Sequence, residues 1–164
     1  MMGWQGQTIV RGSGYFADVC VCRPKSRGRL SLGTSAKTPN IDLNLLSDDA
    51  DLTTLTNGLT RLRDILKSAP LGKRRASEAY PKATGAALRD HIAANVSTAY
   101  HPVGTCALGT VLNNDLSVKG TQNLYVADAS VMPAITSANT NAPSMMIGWR
   151  SAERITQHQR KNAA

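Results

Sequence analysis

Aromatic side chains are scarce in this sequence: one Phe, two Trp and four Tyr among 164 residues. Its core must therefore be aliphatic, built on Leu, Val, Ile, Met and Ala. The scarcity also weakens any stacking platform for single-stranded nucleic acid. Cysteine is equally thin. Cys20, Cys22 and Cys106 make an odd count with no CxxC pair, which argues against a disulfide framework. No histidine stands at ligand spacing to a cysteine pair, so no metal site is expected. Reduced thiols in a cytoplasmic protein are the simplest reading. No apolar run approaches the ~18 residues of a membrane span. The opening "MMGWQGQTIVRGSG" lacks the cationic start and apolar stretch of a secretion signal.

What is present describes a folded chain. Hydrophobic residues make up 41% and charged residues 18%, a balance of globular rather than disordered sequence. The net charge of +8 permits an anionic surface or cofactor as partner. The cations come in small groups, Arg23-Lys25-Arg27-Arg29, Lys73-Arg74-Arg75 and Arg160-Lys161, with few aromatics between them. Nucleic acid is not the expected partner.

Residues 1–15 hold four glycines and no periodicity, and read as a loose entry. "YFADVCVC", residues 15–22, is a strand candidate, and "RLSLG" alternates like a second short strand. Ser47, Asp48 and Asp49 offer short acceptors for a helix N-terminus. Leu52, Leu55, Leu59, Leu62, Ile65 and Leu66 then recur at spacings of three and four, predicting a helix that Pro70 and Gly72 close. A second helix is expected over residues 84–97, with Leu88, Ile92 and Val96 on one face. His91 lies within it and is assigned no chemistry. "LYVADASVMP" starts as a strand with Asp128 at its end. A last helix begins near Asn141-Ala142-Pro143, where Pro143 suits a first turn, and Met145, Met146, Trp149, Ala152 and Ile155 fall on roughly one face.

"TAYHPVGTCALGT", residues 98–110, places His101 just beyond the second helix, in a loop opened by Pro102 and Gly104. From these residues alone, His101 is open to three readings: a catalytic base, a metal ligand beside Cys106, or a core residue.

A second stretch narrows them. "YHPVGTCALG" followed by "LSVKGTQNLYVADASVMPAITSANTNAPSMMIGWRSAERI" resembles the glucose–methanol–choline (GMC) oxidoreductases, FAD-dependent alcohol oxidases and dehydrogenases. The upstream "RPKSRGRLSLG" and "PNIDLNLLSDDADL" are similar to that family too, so the resemblance covers residues 16–158. The GxGxxG turn with which the family's dinucleotide fold receives FAD has no counterpart here. The resemblance is therefore to the family's C-terminal portion, with choline dehydrogenase and alcohol dehydrogenase as the similar branches.

That resemblance implies an α+β fold: an antiparallel-sheet substrate domain with flanking helices, plus the final strand and helix of an FAD-binding α/β domain. It implies a loose segment at 1–15, a substrate-binding part at 16–105, a segment completing the FAD domain and active site at 106–158, and a tail at 159–164. His101 would remove the hydroxyl proton of a small-molecule alcohol while its hydride passes to flavin N5. Asn139 stands at the family's second active-site position, where an amide can donate to the substrate oxygen. The helix starting near Pro143 would aim its positive end at the flavin, with the amides of Asn141 and Ala142. Asp128, with the Ala129 amide, would lie near the cofactor's ribityl or pyrophosphate portion; read on its own, Asp128 is equally a turn aspartate. Cys106 is expected to pack. The implied partner is an N-terminal FAD-binding half. The competing expectation is a truncated, non-catalytic remnant lacking that half, and a third is a small basic binding module.

Overall fold

The computed structural model describes residues 14–35, 37–74, 77–78 and 81–162. Among the described residues the structure is α+β, with a two-stranded antiparallel sheet and three α-helices, and the chain divides into two compact units. The loose segment expected over residues 1–15 lies almost wholly outside the described residues.

One unit contains Asp48–Val96 and the described residues up to Val21. Its first helix, α1, spans Asp49–Lys67. Asp48 caps it, its side chain accepting a 2.9 Å bond from the Ala50 N–H. Asp49 and Asp51 occupy the first turn and Lys67 the last, the signs that suit the two ends of the helix dipole. The chain leaves at Ser68, whose N–H still reaches the carbonyls of Asp64 and Ile65. The leucine stripe at 52, 55, 59, 62 and 66 is half-buried, while Ile65 is exposed. Gly58 sits where Val19 crosses the helix: a Cβ there would come within 2.6 Å of Val19 Cγ1. Helix α2, Gly85–Asn95, packs against α1 and buries Leu88 and Ile92. Arg63 ties the intervening loop to α1, its Nε donating to Glu78 at 2.9 Å and its Nη2 to the Pro81 carbonyl at 2.6 Å.

The other unit contains Cys22–Ser47 and Ser97–Ala164. It opens with the hairpin β1, Arg29–Leu32, and β2, Pro39–Asp42, in the register Arg29↔Asp42 to Leu32↔Pro39. Glycines flank β1 because backbone comes too close for a side chain: a Cβ on Gly28 would run into the Asp42 carbonyl and one on Gly33 into that of Thr38. The core of this unit lies elsewhere. Leu112, Leu116 and Val131 are buried together, with Cys106, Leu108, Val118, Val126 and Ile147 against them. The last helix, α3, spans Asn141–Asn162.

Three expectations differ from this structure. Residues 14–22 form no ladder, and Cys20 and Cys22 are both exposed. The strand expected from Leu124 is a single bridge, Ser117↔Tyr125. A strand needs a partner, and the described residues offer these two segments little or none. In α3 the packed positions are Ser144, Ile147, Gly148, Ser151 and Ile155, whereas Met145, Met146, Trp149 and Ala152 are exposed. Both rows have helical spacing, and the smaller residues won the packed face: Ser151 is buried with its hydroxyl bonded to the Ile147 carbonyl. Of the strand and helix expected towards the end of the chain, the described residues hold the helix, α3, and a single bridge.

Candidate active site

The residues singled out in the sequence all fall in the second unit. His101 is half-buried in the loop that follows α2. Two backbone reversals bracket it, at Tyr100 with φ 63° and at Gly104 with φ 92°. The second is a conformation that glycine adopts without the Cβ penalty, and it lets the chain pass beside the Met132 carbonyl. The loop then runs along the segment that carries Asp128: the Cys106 N–H donates to the Ser130 carbonyl at 3.0 Å and the Leu108 N–H to that of Val131 at 3.0 Å.

Asp128 opens a single 3-10 turn, Ala129–Val131. One of its oxygens accepts from both the Ser130 N–H, at 2.8 Å, and the Ser130 hydroxyl, at 2.5 Å. These bonds hold the carboxyl below the usual carboxylate range, the hydroxyl first and the N–H second, against a small opposing effect of burial. Asp128 therefore does cap a turn, with its side chain exposed; Ala129 is half-buried.

α3 begins directly after Thr140, which is buried. The Thr140 carbonyl accepts from both the N–H and the hydroxyl of Ser144, at 2.9 and 2.6 Å. Asn139, Asn141 and Ala142 are exposed and Pro143 is half-buried. The N-terminal segment of the unit reaches the same place, Arg23 Nε donating to Ser137 Oγ at 2.7 Å. The α3 backbone also lies against the Asp128 segment, a Cβ on Gly148 falling 3.9 Å from the Ala127 carbonyl.

The bond that joins the two sequence blocks is unexpected. His101 Nδ1 lies 3.1 Å from Thr140 Oγ1. The sequence motif points to the asparagines on either side, Asn139 and Asn141, and not to the threonine between them. A signal was available. In a helix starting after Thr140, the third residue is Pro143, which has no N–H for a capping hydroxyl to receive. Cys106 packs on the core cluster, as expected, and among the described residues no three His, Cys, Asp or Glu side chains gather as a metal would require.

The residues present suit a flavin on chemical grounds. Asn141 and Ala142 offer exposed first-turn positions at a helix N-terminus, where N–H groups are left without intrahelical acceptors. Asp128 engages Ser130 through one oxygen and is otherwise exposed, so a hydroxyl can donate to it.

The chain is similar to known proteins over most of its length. Residues 24–148 match a family model described as GMC oxidoreductase, for the C-terminal part of such proteins. The chain is 38% identical over 164 residues to an alcohol dehydrogenase [acceptor] of Pseudomonas putida, covering 93% of this chain and 29% of that one. It is 35% identical over 166 residues to an oxygen-dependent choline dehydrogenase of Photobacterium profundum, covering 94% and 29%. Among solved structures, a pyridoxine 4-oxidase from Mesorbium loti superposes with a TM-score of 0.77 at 30% identity, over 84% of this chain and 28% of that one. A formate oxidase of Aspergillus oryzae, from work on its FAD modification, gives 0.78 at 28% identity, over 86% and 26%. The chain spans about 29% of the length of the curated relatives it matches. Among the described residues, no helix is long and apolar enough to cross a membrane.

Proposed function

Because the chain belongs to the GMC oxidoreductase family, we propose that it supplies the proton-handling side of an FAD-dependent alcohol oxidoreductase acting on CH–OH groups. FAD, when bound, supplies the hydride acceptor. His101 takes the hydroxyl proton through Nε2. A neutral imidazole suits that task, because it keeps one ring nitrogen bare to take a proton. Asn139, beside Thr140 and exposed, orients the substrate oxygen through its amide. The N–H groups of Asn141 and Ala142 stabilise negative charge at the flavin edge, helped by the helix dipole. Asp128 accepts from a ribityl hydroxyl, a better match for a carboxylate than an equally anionic pyrophosphate. Residues 16–105 belong to the substrate-binding part and 106–158 to the part that completes the FAD site.

The observation that carries this reading is the His101–Thr140 contact, which brings the histidine loop to the start of α3. The remaining cofactor contacts come, on this reading, from an N-terminal FAD-binding half, the partner that the family implies. The test is a chimera in which this chain replaces the matching segment of the Pseudomonas putida alcohol dehydrogenase. His101→Ala should slow alcohol-dependent flavin reduction by roughly 10²-fold or more, the usual scale of a lost general base. Retained FAD should not change. Equal reduction rates in parent and variant would remove His101 from the role.

A further inference from the structure

We propose that Arg23 is a positioning residue: it clamps residues 133–139, and with them Asn139, to the segment that leads into the hairpin. The purpose of holding Asn139 rests on the functional reading above; the clamp rests on the geometry.

The loop between the Ala129–Val131 turn and α3 is held at its two ends. Met132 is buried, its N–H closing on the Ala129 carbonyl at 3.2 Å, and Thr140 is buried at the start of α3. Between them only Ile135 is half-buried, and the other residues are exposed. Few apolar contacts are therefore available to order the loop. Its internal bond is a tight turn, the Ala138 N–H reaching the Thr136 carbonyl at 2.5 Å, with Ser137 at the tip. Among the described residues, the only hydrogen bond that ties this loop to another part of the chain is the 2.7 Å bond from Arg23 Nε to Ser137 Oγ. Its direction is fixed, because a guanidinium has hydrogens to give and no acceptor. Ser137 lies two residues before Asn139, a span of at most ~7 Å of chain, so holding the one restricts the other.

A clamp must itself be held, and Arg23 is. Pro24 follows it, and the proline ring restricts the backbone of both residues. Arg27 folds back on the turn that comes next: its Nη1 donates to the carbonyls of Pro24, Lys25 and Ser26, at 2.9, 3.2 and 3.0 Å. The Arg27 carbonyl in turn accepts from Asn44 Nδ2 at 2.9 Å, and the Asn44 N–H donates at 2.8 Å to the side chain of Asp42, the last residue of β2. Arg23 thus extends from a turn that is fastened to the hairpin. In the sequence, Arg23 and Arg27 belong to one basic group; in the structure both are engaged in internal bonds. Arginine suits the task, since a planar guanidinium loses less freedom per hydrogen bond than a flexible ammonium.

The test reads the loop directly, by 15N relaxation of the labelled chain. Backbone order parameters at Ser137, Ala138 and Asn139 should lie near the ~0.85 of rigid backbone in the parent and fall toward ~0.6 in Arg23→Gln and in Ser137→Ala. Both side chains are exposed, so neither change endangers the fold, and the order around Leu112 should not move. The double variant should be no looser than either single one, since the two residues make one bond. Unchanged order in either single variant, or effects that add in the double variant, overturns the proposal. In the chimera, with 1-butanol as substrate, Arg23→Gln should lower kcat/KM by roughly 3- to 10-fold, the scale of one ordinary hydrogen bond, without changing retained FAD. Asn139→Ala should then cost less in the Arg23→Gln background than in the parent by that same factor, which a general structural role for Arg23 does not predict. A substantial cost that is equal in both backgrounds overturns the positioning of Asn139. The two readings fail separately. If Asn139→Ala costs nothing in the parent while the loop still loosens in Arg23→Gln, the clamp stands and the Asn139 assignment falls. If Asn139→Ala costs turnover while the loop is unmoved by Arg23→Gln, the Asn139 assignment stands and Arg23 has no part in it.

Discussion

Leu112 is the side chain whose truncation should cost this protein most in its second unit. It is 0% exposed, at the centre of the cluster with Leu116 and Val131. Leu112→Ala removes three carbons, worth about 2.4 kcal/mol at ~0.8 kcal/mol each. The cavity left behind adds to that, and buried Leu→Ala changes span ~2–5 kcal/mol according to how far neighbours relax. Relaxation is possible here on one side only. Leu116 and Val131 also line an open, apolar groove of about 300 Å³ between Leu108 and the first turns of α3, so they can shift inward, whereas Leu112 does not border that groove. The expected loss is about 3–4 kcal/mol. With a urea m-value of ~2 kcal/mol/M, the midpoint should fall by about 1.5–2 M at unchanged slope. The assay is urea unfolding followed by circular dichroism. The control is Leu32→Ala, a leucine 88% exposed, for which a shift within ~0.5 kcal/mol is expected. Equal midpoints for the two variants would falsify the location of this core, and with it the means by which the His101 loop and α3 are held together.

Other outcomes follow from the same geometry. Asp128 titrates below its ordinary range in the folded chain, so its contribution to stability is complete above the unfolded value near ~3.9 and fades as pH falls through the folded value. Ser130→Ala removes the larger cause and keeps the N–H bond, so a carboxyl NMR titration should place the Asp128 midpoint higher than in the parent; an unmoved midpoint counts against the assigned cause. Arg63→Met should destabilise the first unit by roughly 2–3 kcal/mol, because this little-exposed guanidinium holds both Glu78 and the Pro81 carbonyl. Arg89→Met, which breaks an exposed pair with Asp49, should cost under ~1 kcal/mol, and the comparison fails if the order is reversed. Gly28→Ala should abolish the cross-strand NMR contacts between Leu30 and Ile41, since its Cβ has no room beside the Asp42 carbonyl; an intact hairpin would show that the glycine is dispensable.

The helices were legible in the sequence because their signals are local. Asp48 and the leucine stripe located α1 nearly to the residue, and Thr84 and Asn141-Ala142-Pro143 located the starts of α2 and α3. Of the strands, only β1 was legible, from "RLSLG", and its partner β2 lies close in the chain. Residues 15–22 and 124–126 have strand composition, but their pairing depends on segments that a local pattern does not contain. The face of α3 was misread for a related reason: Met145, Met146 and Trp149 are as periodic as Ile147, Gly148 and Ser151, and periodicity does not say which row is packed. At the proposed site, motif resemblance points to His101 and Asn139. It did not reach Thr140, because the role of a hydroxyl is set by what lies against it, here a ring 39 residues earlier in the chain.

The hairpin has one ladder and two outer edges. All eight of its residues are exposed, Leu32 and Ile41 among the most apolar of them. A two-stranded ribbon of this kind gains little stability of its own, and its outer edges are templates for any further strand. Pro39 brings no N–H, so β2 has one donor fewer to offer a newcomer. In a concentrated sample of this chain, sheet growth between molecules would therefore start from the β1 side. Solubility, rather than folding, is where the short strand Arg29–Leu32 would first be felt.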